Sequence, residues 1–294
     1  MRRILGATIA RVARSYPGRL LQAFLASGAG NYSGALAYNA FMSMFPLIVG
    51  LLAIIGLITH DASTRQEFVH GALTYFPSDS RQSLTNALDG VRSNSGLFGV
   101  IGVVGMLWGG SNLFVSMEFT LGKMFGAKQR DFFQQRAMTL VMTVAFAVDV
   151  VATIGLNTAA SLLPHLPRVE PFIGLVVWMV FMAAVYRIVP NRTYRLRDTW
   201  PGVLLASVLM EGLSLLWPLF AGLSHGFSTY GTALALFFLL GTWLGFLGMF
   251  ILLGAVAIRM RAGEPRARGL FSTATGPPIQ TEATQAAEQY GRAA

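Results

Sequence analysis

The sequence predicts an all-α polytopic membrane protein of six transmembrane helices with both termini cytoplasmic. Three observations carry that prediction. Hydrophobic residues make up 54% of the 294 and charged residues only 12%, about half the charged share usual in a soluble domain and too little to cover a soluble body of this size. Six apolar segments, 34–60, 96–117, 136–162, 171–190, 200–223 and 232–258, reach the length of about 20 residues that a hydrocarbon core demands. Basic residues, finally, are dense and sparse in alternate connecting stretches.

The first 33 residues read as an amphipathic arm at the cytoplasmic interface. Five arginines (Arg2, Arg3, Arg11, Arg14 and Arg19) stand there without an acid, among Ile4, Leu5, Ile9 and Val12 before Pro17-Gly18 and Leu20, Leu21, Phe24 and Leu25 after it. Residues 1–27 thus predict two short helices lying in the interface, although a transit peptide shares this composition. Several of the spans exceed 25 residues, so they tilt, kink or protrude. The connection 61–95 repeats Phe68, Ala72, Tyr75 and Phe76, then Leu84, Leu88 and Val91, on either side of Pro77-Ser78. It predicts an external helical hairpin, which either rests on the bilayer or acts as a lid. Residues 261–294, with Pro277-Pro278 followed by Thr, Gln and Ala, read as a disordered cytoplasmic tail.

The charge count fixes the orientation. Besides the arm, the stretch 118–136 holds Lys123, Lys128, Arg130 and Arg136. The stretch 187–199 holds Arg187, Arg192, Arg195 and Arg197, and the C-terminal stretch holds Arg259, Arg261, Arg266, Arg268 and Arg292. The alternate stretches contain Arg65, Arg81, Arg92 and Arg168 alone. Eighteen against four is a positive-inside bias that puts both termini in the cytoplasm. His60, His70, His165 and His225 all fall on the outer side, as pH-sensing groups or as ordinary interfacial residues.

Inside the spans, two acids lie near mid-depth: Asp149 in the third and Glu211 in the fifth. An ionised carboxylate there costs roughly 2.5–3.5 kcal/mol on insertion scales, so each must face the interior, find a partner or stay protonated. Thr139, Thr143, Asp149, Thr153, Asn157 and Ser161 follow helical spacing along one side of the third span. Ser207, Glu211 and Ser214 do so on the fifth, and Asn39 and Ser43 lie on the first. These polar stripes make a substrate or proton path from Glu211, Asp149, Asn39, Asn157, Ser207 and Ser214; the plainer reading is hydrogen bonding between helices. Arg187, Arg192, Arg195 and Arg197 are candidates to contact anionic headgroups at the cytoplasmic lip. Pro46 and Pro218 interrupt helices and are candidate hinges. Gly96, Gly99, Gly102, Gly105 and Gly109 form a smooth stripe on the second span, and Gly241 and Gly245 a GxxxG pair on the sixth. Both permit close packing within the chain or in a homo-oligomer.

Little points to catalysis. There is no cysteine, which excludes disulfides, iron–sulfur clusters and thiolate zinc sites. No phosphate-binding G-x-x-x-x-G-K-[ST] loop or H-E-x-x-H pair occurs, so no cofactor, metal or enzymatic activity is expected. The net charge of +9 with a pI near 10.5 suits membrane lipids with anionic headgroups; nucleic acid is the rival partner for a basic chain, and none is expected here.

Three stretches together resemble a known family. Gly34-Ala-Leu-Ala-Tyr-Asn-Ala-Phe-Met-Ser-Met-Phe-Pro46 is similar to the first-span signature of the YihY/BrkB membrane proteins. Val189-Pro190-Asn191-Arg192 followed by Arg197-Asp198-Thr199-Trp200-Pro201-Gly202 resembles that family's connector between the fourth and fifth spans. The stretch from Tyr230-Gly231 to Leu252-Leu253-Gly254 resembles its sixth span. The resemblance covers residues 20–260 and implies a bacterial inner-membrane protein of six helices. It also implies links to virulence and serum resistance and, in some members, to export of a lipopolysaccharide precursor. Glu211 falls where the family has a glutamate; Asp149 matches none of its motifs. The family's older label, a ribonuclease acting on tRNA, fits these residues poorly, because the best acids lie within the bilayer.

The expected function is therefore transport of a lipid, lipid-linked or other amphiphilic substrate through a polar groove between the first, third and fifth spans. The alternatives are a non-transporting scaffold or envelope-integrity factor and, remotely, the ribonuclease. Because the chain lacks cysteine, its orientation can be read with single-cysteine variants. A membrane-impermeant maleimide should label Ser78→Cys in intact cells and Gln285→Cys only after permeabilisation. Equal labelling of both would overturn the charge-based topology.

Overall fold

The computed structural model describes residues 15–58, 95–161, 170–222, 232–275 and 277–292, and its described elements are almost entirely helical. Helix α1 (Tyr16–Ala26) starts where Ser15 caps the Gly18 N–H and Pro17 supplies a preset φ at the first turn. Six long helices follow: α2 (Ala29–Ile58), α3 (Ser95–Phe125), α4 (Phe132–Ser161), α5 (Glu170–Ile188), α6 (Leu196–Gly222) and α7 (Thr232–Ala262). They stand at the positions of the six expected spans. Among the described residues, Phe132–Leu156, Pro171–Ile188, Leu196–Leu219 and Phe237–Ala262 of α4 to α7 are long and apolar enough to cross a membrane. The expected hairpin 61–95 (Ser95 apart), the four histidines and residues 1–14 of the arm lie outside the described residues, as does the side chain of Asn157.

The long helices pack in chain order. Each of α3 to α6 lies against its successor, α7 returns to α2 and α3, and α2 and α3 form the most extensive pair. Small residues set the closest approaches. Pro46 of α2 seats against Gly109 of α3, where an added Cβ would stand 2.6 Å from the proline ring, and α2 runs on through Pro46 as helix. At Gly110 a Cβ would collide with Thr143 of α4. Between α6 and α7, Gly202 and Gly254 face each other, a Cβ on Gly254 standing 2.8 Å from the Gly202 carbonyl. The described glycines of the α3 stripe thus pack within the chain. Gly241 and Gly245 of α7 have open space around them.

Outward faces are apolar at helical spacing: Leu140, Val144 and Val148 on α4, Phe172, Val176 and Val180 on α5, Leu204 and Val208 on α6. In water these would be costly patches; in a bilayer they are the lipid-facing surface. The densest core lies toward one end of the bundle. It is built from Phe114, Leu121 and Phe125 of α3, Met138 and Met142 of α4, Met182 and Tyr186 of α5, Met210 of α6 and Leu252 and Ile258 of α7. The same end holds the basic connections.

The expectation of a disordered tail at 261–294 is corrected. Ala267–Arg268 (β2) pairs antiparallel with Arg192–Thr193 (β1), Arg192 opposite Arg268, and Glu282–Arg292 forms α8. Helix α8 packs on α1, α3 and α7. Composition misled because α8 buries small residues, Ala283, Thr284, Ala286 and Ala287, rather than the large apolar side chains that signal a core. Its approach is secured by backbone. Gly126, in the left-handed region at φ +64°, ends α3 and accepts from the Ile279 N–H at 2.7 Å, and Thr281 Oγ1 donates to the Lys123 carbonyl at 2.8 Å. The tail thereby satisfies carbonyls that the end of α3 leaves open. Helix α1, half of the expected arm, is likewise a docked part of this cap, burying Leu20, Ala23 and Phe24.

The packing separates the glycines into two groups by stability. Gly110→Val and Gly254→Val should each lower stability by about 1–3 kcal/mol through overpacking, while Gly241→Val should change it little. Thermal unfolding of the purified variants in detergent would show this; equal effects at all three sites would overturn the assignment of the close approaches.

Candidate functional site

At the basic end, a single cation organises four chain segments. Arg130 follows α3 and is fully buried together with Glu118. All five guanidinium N–H donors are used. Nη1 donates to Glu118 Oε1 at 2.8 Å and to the Val189 carbonyl at 2.6 Å; Nη2 donates to the carbonyls of Ile188 at 2.8 Å and Pro190 at 2.9 Å; Nε donates to the Leu270 carbonyl at 2.9 Å. Three of these acceptors are the open carbonyls at the C-terminus of α5, so Arg130 caps that helix from outside its own chain segment. Glu118 also accepts from the Arg130 N–H at 3.0 Å and from Gln135 Nε2 at 2.8 Å. Burial pushes the Arg130 pKa down and the Glu118 carboxylate beside it pushes back.

Asn191 repeats the device next door. Its Nδ2 donates to the Lys128 carbonyl at 3.0 Å, its Oδ1 accepts from the Thr273 N–H at 3.0 Å, and its carbonyl accepts from Ser272 Oγ at 2.8 Å. Tyr194 is buried, which raises its pKa, and its hydroxyl donates to the Gly263 carbonyl at 2.8 Å. Val189, Pro190 and Asn191, three of the connector residues that carry the family resemblance, are therefore structural.

The structure divides the four arginines expected at the lip. Arg187 is spent inward, its Nη1 donating to the Tyr194 carbonyl at 3.1 Å, and Arg192 lies in the β1–β2 pair. Arg195 and Arg197 instead line an open pocket of about 520 Å³ with Asp198, Trp200 and Arg261. Arg261, from the end of α7, stacks its guanidinium over Trp200 at 5.5 Å from the ring centre. Sequence spacing could not reveal that fifth member, which lies 61 positions from Trp200 by residue number.

The interior carboxylates sit just beyond the dense core. Glu211 of α6 lies against Gly174 of α5, where a Cβ would stand 2.5 Å from Oε2. Asp149 of α4 is half-buried. Among the described residues, neither has a hydrogen bond or ion pair from its carboxylate. Ser207, one turn before Glu211, is fully buried with an unpartnered hydroxyl. The other polar residues of the expected path are bonded to their own helices: Asn39 Nδ2 to the Ala35 carbonyl at 2.9 Å, Ser214 Oγ to that of Met210 at 3.0 Å, Thr143 Oγ1 to that of Thr139 at 2.8 Å. Thr139 also meets Ser111 of α3 at 2.9 Å. Thr139 and Thr143, the first two residues of the α4 stripe, thus serve helix packing. Moreover α2, α4 and α6 pack mainly on α3, α5 and α7 rather than on one another, so the groove expected between them is not a cleft of adjoining helices. Pro218 is exposed, and α6 runs through it as helix.

Apolar outward faces, four helices of spanning length among the described residues and a basic cap at one end define a multi-pass membrane protein. The family model for virulence factor BrkB matches residues 20–271, and the chain belongs to that family. It is similar to a protein of Bacillus subtilis (strain 168) named "Putative ribonuclease-like protein YfkH", 24% identical over 246 residues that cover 76% of this chain and 86% of the relative. No solved structure matches.

The buried pair generates a stability prediction. Arg130→Met should cost about 3–5 kcal/mol, because it leaves Glu118 buried and uncompensated. Adding Glu118→Met should recover only part of that loss, since the α5 carbonyls stay unsatisfied. Full recovery in the double variant, measured by thermal unfolding in detergent, would show that the pair matters only to itself.

Proposed function

We propose that this protein transports a lipid, lipid-linked or other amphiphilic substrate of the bacterial inner membrane, with Glu211 as the group that couples or gates passage. The observation that carries the reading is an acid within a helix of spanning length, held against a glycine of the preceding helix and given no protein partner among the described residues. A carboxylate kept only for packing would be expected to find an Asn, Ser or Thr; this one is left free to meet substrate or solvent. The unpartnered Ser207 hydroxyl, buried one turn away, leaves a further polar group unsatisfied near that level. Asp149, at similar depth on α4, is the second candidate. In this reading the dense core and the α1–α8 cap close the basic end. The glycines at Gly241 and Gly245 leave room for movement of α7 or for a second copy, and Pro46 and Pro218 are the positions at which α2 and α6 would bend.

A non-transporting scaffold is the second reading, favoured by one observation: α1 and α8 form an ordered platform at the basic end, suited to recruiting a partner. The name of the Bacillus relative raises ribonuclease activity. Against it, no group of three or more His, Cys, Asp or Glu that could hold a metal occurs among the described residues, and Glu118 is committed to Arg130.

Liposomes carrying a fluorescent phospholipid test the first reading. The purified protein should increase the fraction of label reached by an impermeant quencher, with a dependence on the pH gradient. Glu211→Gln should lower the rate by about tenfold or more, the loss expected when a group acting in proton transfer is removed. Movement that is unchanged in rate and pH dependence would remove Glu211 from the mechanism.

A further inference from the structure

We propose that the pocket formed by Arg195, Arg197, Arg261 and Trp200 binds the phosphate group of an anionic lipid. The proposal rests on the membrane reading of the helices and deepens the transport reading, but does not require it. Most of the other described arginines at this end have acceptors or ring partners in the protein: Arg130 has Glu118 and four carbonyls, Arg136 has Ser111, Arg187 has the Tyr194 carbonyl, Arg259 and Arg292 have Glu288. Among the described residues, the three pocket guanidiniums have no carboxylate or carbonyl partner. Asp198 shares the rim and makes no ion pair with them, so the pocket keeps an excess of two positive charges. Their planar donors suit the tetrahedral oxygens of a phosphate.

The pocket's depth points to lipid as the source. Trp200 is 51% exposed and lies one turn before Leu204 and two before Val208, both on the outward apolar face of α6. An indole in that register belongs at the boundary of headgroups and hydrocarbon. A phosphate held by the arginines there would leave acyl chains free to lie along Leu204 and Val208.

Native mass spectrometry of the full-length protein from detergent tests this, with phosphatidylglycerol and phosphatidylcholine of matched chains as probes. The wild type should retain phosphatidylglycerol preferentially. Arg195→Gln with Arg197→Gln should weaken that retention by about tenfold or more, since removing even one charge-assisted hydrogen bond has an effect of that order. Arg266→Gln with Arg268→Gln, an equal loss of charge elsewhere, should change it less than about twofold. Equal weakening by both pairs would mean diffuse attraction and overturn the site, as would no weakening by either. Displacement of the lipid by an equimolar amount of inorganic phosphate would overturn the lipid assignment and leave a free-phosphate site. If the pocket pair fails to give a monodisperse protein, the single variants Arg261→Gln and Trp200→Ala decide by the same ratio. Glu211→Gln should bind lipid as the wild type does. Lost binding selectivity with intact flipping would confirm the pocket as a separate site, whereas intact selectivity without flipping would sink transport alone.

Discussion

The basic end of this protein depends on the burial of one guanidinium. A cation withdrawn from water is costly unless its donors are met, and Arg130 meets all of its own with groups from α3, from the end of α5 and from the stretch after β2. That requirement fixes the relative positions of three segments far apart in sequence. The β1–β2 pairing, the Asn191 contacts and the docking of α8 all build on the same arrangement. Gly269 shows how tight it is: a side chain there would run into the Pro190 carbonyl and Arg130 itself.

The two halves of the bundle follow different rules. At the basic end, methionines and aromatics fill a buried core, and Arg130, Glu118 and Asn191 find partners from several segments. Farther along, α4 has no buried described residue after Ala147 and α6 none after Leu213. Asp149 and Glu211 stand at that transition, near enough to the core to be held and far enough from it to escape internal partners. The free arginines of the pocket lie at the opposite edge of the same core. Under the proposed transport, a substrate with an anionic head would meet first the pocket and then the two carboxylates, with the core between them having to open.

Much of this was legible in the sequence. The long helices follow from runs of apolar residues, and the interior acids from their rarity. Hydropathy, however, measures depth in the bilayer rather than helix, so α3 continues through Glu118 and Lys123 to Phe125, beyond the expected end at 117. Glu118 and Arg130 are 12 residues apart across a helix end, with nothing in their spacing to mark them as a pair. Helix α8 was invisible because alanines and a threonine, not leucines, make its buried face. Arg261 could not be joined to Trp200 before the α6–α7 contact was known. The connector motif was recognisable as a pattern, yet its role was not: the Asn191 amide bonds to the backbone of Lys128 and Thr273 and Gly202 lies against Gly254, partners that no local spacing names.

The order of packing along the chain bears on how the molecule is made. During synthesis each new long helix finds one of its neighbours already inserted, so the bundle can grow one helix at a time. Arg130, by contrast, emerges early and must wait for the end of α5 and then for Leu270 before its donors are met. Until the last helix has entered the bilayer and the tail has folded back, this arginine remains hydrated, and the half-built bundle stays open to water at its basic end. Sealing is thus a late event, and a ribosome-bound intermediate short of Leu270 would carry the whole of the lipid-facing surface but no finished floor.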